Sequence, residues 1–238
     1  MKTKLSVNIN KVALIRNSRG EQLPDLRKFA IDCEKYGAEG ITVHPRPDER
    51  HVRYSDLPIL KEVVTTEFNI EGYPSEHFMK KVLEVKPHQC TLVPDPPGVL
   101  TSNEGWKPQN HSEFLKVIIG ELKEKEIRVS LFLDPIEEDI HAAKKVGADR
   151  IELYTGRYAH EFEKNKEAAI LDHTKASNIA NEQSLGLNAG HDLNLKNLKF
   201  YKENIPNLKE VSIGHALISD ALYFGIQNVI GMYRRLLF

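Results

Sequence analysis

The chain has 238 residues, with 33 Lys and Arg against 34 Asp and Glu, a formal net charge of −1, and 40% apolar residues. This balance is typical of a folded protein rather than a disordered one, and the near-neutral charge argues against a general nucleic-acid-binding protein. No apolar run approaches the roughly 18 residues of a membrane span. Cys33 and Cys90 are the only cysteines, so we expect no disulfide framework and a reducing, cytoplasmic location.

Short apolar segments alternate with amphipathic segments along the whole chain. The predicted strands are 5–9, 40–44, 68–72, 89–93, 128–133, 150–154, 185–189 and 210–213. The predicted helices are 24–36, 56–66, 75–85, 111–126, 136–146, 161–181, 194–203 and 218–236. Eight strand–helix units in 238 residues match the size of a (β/α)8 barrel that forms one domain over residues 1–238. A doubly wound open sheet is the alternative.

One phrase occurs twice and indicates how helices and strands are joined. Residues 36–43 (YGAEGITV) are echoed by residues 146–153 (VGADRIEL), and each copy follows apolar residues at helical spacing. Gly37 and Gly147 stand where the C-terminus of a helix favours a left-handed residue. Because a strand follows each glycine, the phrase predicts the helix–glycine–strand junction of an α/β protein.

The connection after the fourth strand, residues 94–108, is unusually long and contains the only tryptophan, Trp106. Loops of this length in compact domains are often functional. We therefore expect this loop to dock on the barrel as a lid, with a disordered surface insertion as the alternative.

In a (β/α)8 barrel, reactive groups lie at the C-terminal ends of the strands. Three of the ten histidines, His44, His191 and His215, fall at such positions, and Glu71 ends the third strand. Together they favour proton transfer over the simpler role of capping carbonyls. The chain lacks the His-x-x-x-His and Cys-x-x-Cys spacings of common metal sites, so no metal is predicted.

Cationic groups near the same strand ends indicate the kind of ligand. Arginines follow the first and second strands, and the guanidinium fork suits phosphate; they are Arg19, Arg46, Arg50 and Arg53, with His51 among them. Gly190 and Gly214 expose backbone N–H groups after the last two strands, where many barrels bind phosphate. The residues alone thus predict acid–base chemistry on a phosphorylated small molecule, although Arg50 and Arg53 also fit an ordinary charged surface loop.

Nine short segments resemble one known family when they are taken together. They are 7–10 (VNIN), 16–20 (RNSRG), 40–46 (GITVHPR), 50–51 (RH), 69–71 (NIE), 92–94 (LVP), 129–132 (VSLF), 187–191 (LNAGH) and 213–216 (IGHA). The sequence resembles the pyridoxine 5′-phosphate synthases of the deoxyxylulose-dependent vitamin B6 pathway over essentially its whole length.

The resemblance implies a reaction and an architecture. In that reaction, 1-deoxy-D-xylulose 5-phosphate condenses with 3-amino-2-oxopropyl phosphate to give pyridoxine 5′-phosphate, phosphate and water, without a metal or organic cofactor. It also implies a TIM barrel with extra helices, assembled as a homo-octamer (a tetramer of dimers), with no nucleic-acid or membrane partner. By the same resemblance His44, Glu71 and His191 are catalytic. The implied substrate contacts are Asn8, Arg19, Arg46, His51, Thr101, Gly214 and His215.

Two departures from the usual family pattern involve three residues. The family often has Asp-His where this chain has Asn10 and Lys11, and often has Gly where this chain has Asp192. Asn10 can hydrogen-bond a hydroxyl but cannot act as a base, and Asp192 adds a negative side chain near a presumed phosphate. We keep all three as candidate substrate-binding residues.

Two other functions fit parts of the pattern. A sugar-phosphate isomerase or aldolase could use the same His, Glu and phosphate-binding groups on one substrate, and Lys11 is the only candidate for a Schiff base. A non-catalytic phospho-ligand-binding or assembly protein is the second alternative. Such a protein has no need for the acid–base set of His44, Glu71 and His191.

Overall fold

The computed structural model describes residues 2–95 and 104–238. Eight parallel strands, β1 to β8, pair in chain order, and β1 also pairs with β8, which closes the sheet into a barrel. The strands are Lys4–Asn8, Gly40–Val43, Glu67–Gly72, Gln89–Leu92, Arg128–Leu133, Arg150–Tyr154, Gly186–His191 and Leu208–Ile213. The predicted (β/α)8 barrel is confirmed, and the β1–β8 pairing rules out the open sheet.

Eleven α-helices, α1 to α11, lie in the described part of the chain. They are Asn10–Asn17, Leu26–Lys35, Asp56–Val63, Glu76–Val85, Ser112–Glu124, Glu137–Lys145, Gly156–Phe162, Lys166–Glu182, Leu198–Asn204, His215–Phe224 and Ile226–Arg235. A 3₁₀ turn, Pro108–His111, precedes α5. No helix of residues 2–95 and 104–238 is both long and apolar enough to cross a bilayer.

The extra helices are the main difference from the predicted elements. Helix α1 was not predicted, because its buried face holds only Val12, Ala13 and the polar Arg16 and thus lacks an apolar stripe. The short α7 was not predicted as a separate helix. The prediction of a single helix over 218–236 is wrong, because Gly225, with φ of +76°, separates α10 from α11. A left-handed residue cannot continue a right-handed helix.

The repeated phrase forms the junction that was predicted from it. Gly37 and Gly147 have φ of +106° and +96°. After each glycine the chain bonds back to the helix: Ala38 N–H donates to Cys33 O at 2.9 Å, and Ala148 N–H donates to Ala143 O at 3.1 Å. This six-to-one bond satisfies a carbonyl at the helix end and directs the chain into β2 and β6.

Apolar side chains fill the layer between the barrel and the helices, whereas the barrel interior is polar. A charged layer closes its lower end, where β3 to β6 begin. Arg128 pairs with Glu67 and donates to Gln89 Oε1 at 2.9 Å. Arg150 Nη1 lies 3.8 Å from Glu67 and 3.9 Å from Glu210. Arg128 and Arg150 are therefore paired with carboxylates at the lower end of the barrel, away from the carboxyl ends of the strands.

The described end of the long connection docks on the barrel, as predicted. Trp106 is only 3% exposed, and its indole N–H donates to Leu92 O at 3.1 Å while its backbone N–H donates to Phe132 O at 2.8 Å. Gly105 N–H donates to Asp134 Oδ2 at 2.9 Å. Residues 96–103 lie outside the described residues, and Thr101 with them, so the predicted lid and the Thr101 contact remain predictions.

Candidate active site

His44 and Glu71 meet at the carboxyl ends of β2 and β3. His44 Nδ1 lies 4.0 Å from Glu71 Oε2, which is too long for a direct hydrogen bond. Glu71 is 1% exposed, and neither of its carboxyl oxygens has a hydrogen-bond partner among the described residues. Buried polar atoms are normally paired. An unpaired carboxyl at a barrel mouth is therefore available to a ligand.

Burial sets opposite protonation states on these two groups. Loss of hydration raises the pKa of Glu71 to about 8, although the nearby Arg46 opposes the shift. Burial, and then the positive charge of Arg46, hold the pKa of His44 well below its usual value. Near neutral pH, Glu71 is therefore mostly a protonated donor and His44 a neutral base. This is a pair of groups that can give and accept protons without first changing charge.

The end of β1 holds His44 in place. Asn10 Oδ1 accepts the His44 backbone N–H at 2.9 Å, and the Asn10 backbone N–H donates to Asn8 Oδ1 at 3.1 Å. Sequence reasoning assigned Asn8 and Asn10 to substrate only. The structure adds a positioning role that joins β1 to the residue directly after β2.

His51 is buried in the β2–α3 loop, and its tautomer follows from one bond. Its Nδ1 accepts the Val52 backbone N–H at 3.0 Å, so the ring proton of the neutral imidazole is on Nε2. Burial, then the positive charges of Arg46, Arg50 and Lys11, lower the pKa of His51 to about 4. His51 is thus a neutral N–H donor, suited to an acceptor such as phosphate or hydroxyl.

Helix α1 clamps the loop that carries His51. Arg16, 2% exposed, makes a two-point ion pair with Asp56 at 2.7 and 2.9 Å. Arg16 also donates to His51 O at 3.2 Å, and Asn17 Nδ2 donates to the same carbonyl at 2.7 Å. The Arg16-Asn17 pair was noted only as part of a motif, and the structure shows that it supports the loop.

Arg46 lies beside His44 and Glu71 and faces Asp95. It is 7% exposed, and its Nη2 donates to Asp95 Oδ2 at 3.1 Å. Sequence reasoning did not single out Asp95. Its position three residues after the end of β4, as far as Arg46 lies from the end of β2, was the available signal.

His191 approaches from the opposite side of the barrel, at the end of β7. Its ring packs edge-on against Phe132, with centroids 4.8 Å apart, and its Nδ1 is buried without a partner in the described chain. Glu152 of β6 is 1% exposed and lies against Gly190, where any Cβ would collide with the Glu152 carboxyl. Burial, reinforced by the Glu71 charge, raises the pKa of Glu152 well above its usual value. Sequence reasoning assigned no role to Glu152.

The ends of β1 and β8 form a narrow backbone site. Gly214 caps α10, and a Cβ there would lie 3.0 Å from Asn8 Cβ, so glycine allows the two strand ends to approach. His215 begins α10 and is exposed, and no side chain caps that helix. Open N–H groups at a helix N-terminus suit an anion, as predicted for a phosphate.

Arg19 is not brought to these groups. It is exposed just beyond α1, and in residues 2–95 and 104–238 no hydrogen bond or ion pair joins it to His44 or Glu71. In the same residues no cluster of three or more His, Cys, Asp or Glu side chains could hold a metal ion.

Comparison with known proteins identifies the family. A family model described as "Pyridoxal phosphate biosynthesis protein PdxJ" matches residues 5–238. The chain belongs to the PdxJ family. The protein is therefore a biosynthetic enzyme of the transferase type.

Relatives within the PdxJ family match over almost their full lengths. A Flavobacterium johnsoniae protein named pyridoxine 5′-phosphate synthase is 56% identical over 231 residues, covering 97% of this chain and 98% of the relative. A Cytophaga hutchinsonii protein of the same name is 58% identical over 233 residues, covering 98% of each chain. The resemblance seen in the sequence motifs is confirmed.

Solved structures outside the PdxJ family share the barrel at low identity. Tryptophan synthase from M. tuberculosis, in its aminoacrylate-bound form, has a TM-score of 0.67 at 10% identity, covering 100% of this chain and 94% of that chain. Orotidine 5′-monophosphate decarboxylase from Methanocaldococcus jannaschii has a TM-score of 0.65 at 12% identity, covering 100% and 99%. These similarities show the fold alone.

The structure gives physical meaning to the departures from the usual PdxJ pattern. Asn10 still accepts the His44 N–H, a bond that an amide oxygen makes as a carboxylate would. Lys11 lies in the first turn of α1, close enough to lower the pKa of His51. The Asp192 side chain is exposed, and its backbone N–H donates to Thr155 Oγ1 at 3.2 Å. That N–H is therefore already occupied in this structure.

Proposed function

We propose that the protein is a pyridoxine 5′-phosphate synthase that condenses 1-deoxy-D-xylulose 5-phosphate with 3-amino-2-oxopropyl phosphate. The products are pyridoxine 5′-phosphate, phosphate and water. One observation carries the proposal beyond family membership: Glu71 and His44 are buried, 4.0 Å apart, and hold opposite protonation states. Imine formation, dehydration and ring closure each need a proton donor and a proton acceptor at nearby atoms.

In this proposal the three catalytic groups divide the proton transfers. Protonated Glu71 donates to a departing oxygen, neutral His44 accepts a proton from carbon or nitrogen, and His191 serves the opposite face of the substrates. The proton taken up by His44 then passes to Glu71 by way of the released water, since the two groups lie 4.0 Å apart, and this restores the resting charges of both. Low hydration at the site strengthens these interactions.

Two anchored phosphates make the condensation effectively intramolecular. Arg46 and His51 hold one phosphorylated substrate, with Asn10 and Lys11 beside it. The N-terminus of α10, with Gly214 and His215, holds the other, together with Asn8. Fixing one end of each substrate removes most of the entropy cost of bringing the reacting carbons together. The homo-octamer and the cytoplasmic location stay predictions.

The direct test is an assay with both substrates. Purified protein incubated with deoxyxylulose phosphate and aminooxopropyl phosphate is expected to form pyridoxine 5′-phosphate, detected by absorbance and mass, with one phosphate released per ring. Omitting either substrate is expected to abolish the product. Isomerisation or cleavage of deoxyxylulose phosphate without the amine would instead support an isomerase or aldolase.

Removing Arg46 tests the phosphate anchor. Arg46→Ala is expected to weaken deoxyxylulose phosphate binding by at least about 1.5 kcal/mol, the lower range for a charge-assisted hydrogen bond. Wild-type binding should weaken with added salt, and the variant should respond less, because part of the attraction is Coulombic. Calorimetric titration at two ionic strengths measures both effects. Arg27→Ala, an exposed position on α2, is the charge-matched control; equal affinities of the two variants would remove Arg46 from the site.

A further inference from the structure

Thr155 makes an unusual pair of hydrogen bonds. It follows β6 and is fully buried. Its hydroxyl donates to Gly190 O at 2.7 Å and accepts the Asp192 backbone N–H at 3.2 Å. Its own backbone N–H also donates to Gly190 O at 3.2 Å. All three bonds therefore end on the two peptide groups that flank His191.

The hydroxyl is diverted from the role that its position would suggest. Thr155 is the N-cap of α7, where threonine normally accepts a hydrogen bond from a backbone N–H of the first turn. Here the Thr155 side chain makes no such bond with α7. The hydroxyl instead bonds the backbone at the end of β7, through Gly190 O and Asp192 N–H.

The backbone between those two peptide groups is strained. His191 has φ of +91°, in the left-handed region that residues with a Cβ seldom occupy. Such a conformation persists only where the surroundings determine it, and it is concentrated at functional sites. The Gly190 carbonyl belongs to the peptide before His191 and the Asp192 N–H to the peptide after it. One hydroxyl thus fixes the two planes whose rotations define φ and ψ of His191.

The His191 ring has no such anchor of its own. Its Nδ1 is buried without a hydrogen-bond partner among the described residues, and the ring packs edge-on against Phe132 and Tyr154. The charged groups that act on the ring are Asp192, Asp95 and Arg46. The direction of the imidazole is therefore determined by the backbone and by ring packing.

We propose that Thr155 is a positioning residue that locks the backbone of His191 and thereby aims its imidazole at the substrates. This inference rests on the proposed function, in which His191 takes part in proton transfer. Thr155 touches no reacting atom in this proposal, and it acts only through His191.

Two substitutions separate the hydroxyl from the shape of the side chain. Thr155→Val keeps the branched shape and removes both hydroxyl bonds, whereas Thr155→Ser keeps the hydroxyl. The matched control is Thr3→Val, at the opposite end of the barrel. Thr3 is 1% exposed, and its hydroxyl donates to Leu208 O at 2.8 Å, so its loss also removes a buried threonine bond.

The readouts are kcat, KM for each substrate, the pH profile of kcat/KM, and the imidazole NMR signals of protein labelled at histidine. We expect Thr155→Val to lower kcat by about 10- to 100-fold, because misplaced catalytic groups cost this much, with KM changed less than threefold. The limb of the pH profile that depends on His191 should move, and the His191 ring signal should broaden or split. Thr155→Ser should restore most of kcat and the single signal, and Thr3→Val should keep the wild-type kcat.

Three results would overturn the proposal: wild-type kcat and an unchanged His191 signal in Thr155→Val, equal losses of kcat in the Ser and Val variants, or an equal loss in Thr3→Val. The NMR signal, assigned by its absence in His191→Asn, needs no turnover. If the wild-type protein forms no pyridoxine phosphate, the proposed function fails. A split signal in Thr155→Val would still show that the hydroxyl positions the ring.

Discussion

Glu71→Gln is expected to lower turnover by roughly 10²–10⁴-fold, the contribution of general acid–base catalysis, while deoxyxylulose phosphate binding stays within a few-fold of wild type. Gln keeps the shape of the protonated carboxyl and its ability to donate and accept a hydrogen bond, but it cannot give up a proton and regain it. Single-turnover kinetics and calorimetric binding on the same preparation separate the two effects. Glu62→Gln, exposed on α3, is the control. Near-normal turnover in Glu71→Gln would refute the proposed proton transfers.

The same variant is expected to gain stability relative to wild type as the pH rises, and the direction of this change follows from the pKa of Glu71. That pKa is about 8 in the folded protein and near the ordinary 4.5 when unfolded. Between these values the folded state keeps a proton that the unfolded state has lost, so wild-type stability falls as the pH rises from about 4.5 to 8. Gln does not titrate. The difference in Tm between Glu71→Gln and wild type should therefore grow in favour of the variant from pH 5 to 8, and a constant difference would show that Glu71 is ionised in the folded protein.

His44→Asn is expected to lower turnover by a similar factor of roughly 10²–10⁴ with substrate affinity retained, because Asn cannot accept and return a proton. The pKa of His44 lies well below its usual value. Wild-type activity should therefore not decline through protonation of His44 when the pH is lowered past 6.5. His141→Asn, on α6, is the control for removing a histidine from the surface.

Three outcomes for His44→Asn have different meanings. A loss of rate with retained binding supports proton transfer. Rate and affinity that fall together indicate that His44 only positions substrate. A lower Tm with full activity per folded molecule indicates a structural residue, and both of the last two outcomes contradict the role proposed here.

The sequence by itself predicted eight strand–helix units and the strand ends at which the site lies, whereas the pairing of β1 with β8 decided that the sheet closes into a barrel. Strand and helix periodicities are local properties of a segment, and so is the junction at Gly37 and Gly147, where only the conformational preference of glycine is needed. The same local reading placed His44, Glu71 and His191 at strand ends. Once strands are parallel and adjacent, their ends must meet at one rim.

The resemblance to family motifs added the expected reaction and its expected substrates, which no periodicity contains. The tertiary structure alone decided the surroundings of each site residue. The bond from Thr155 to Gly190 joins residues 35 apart in the chain, and the ion pair from Arg16 to Asp56 joins residues 40 apart. A buried threonine or arginine does not reveal from sequence which distant residue it will bond, because many segments of the chain offer an acceptor.

Helix α1 is a second feature that the sequence pattern could not predict, because a distant contact stabilises it. Its buried face is held by the Arg16–Asp56 pair instead of an apolar stripe, so the helix had no period to detect. The raised pKa of Glu71 likewise comes from its burial, which depends on how the whole barrel closes around it. Local pattern therefore determines which elements form and which residues reach the rim, whereas hydration, charge and orientation at the rim are properties of the closed barrel.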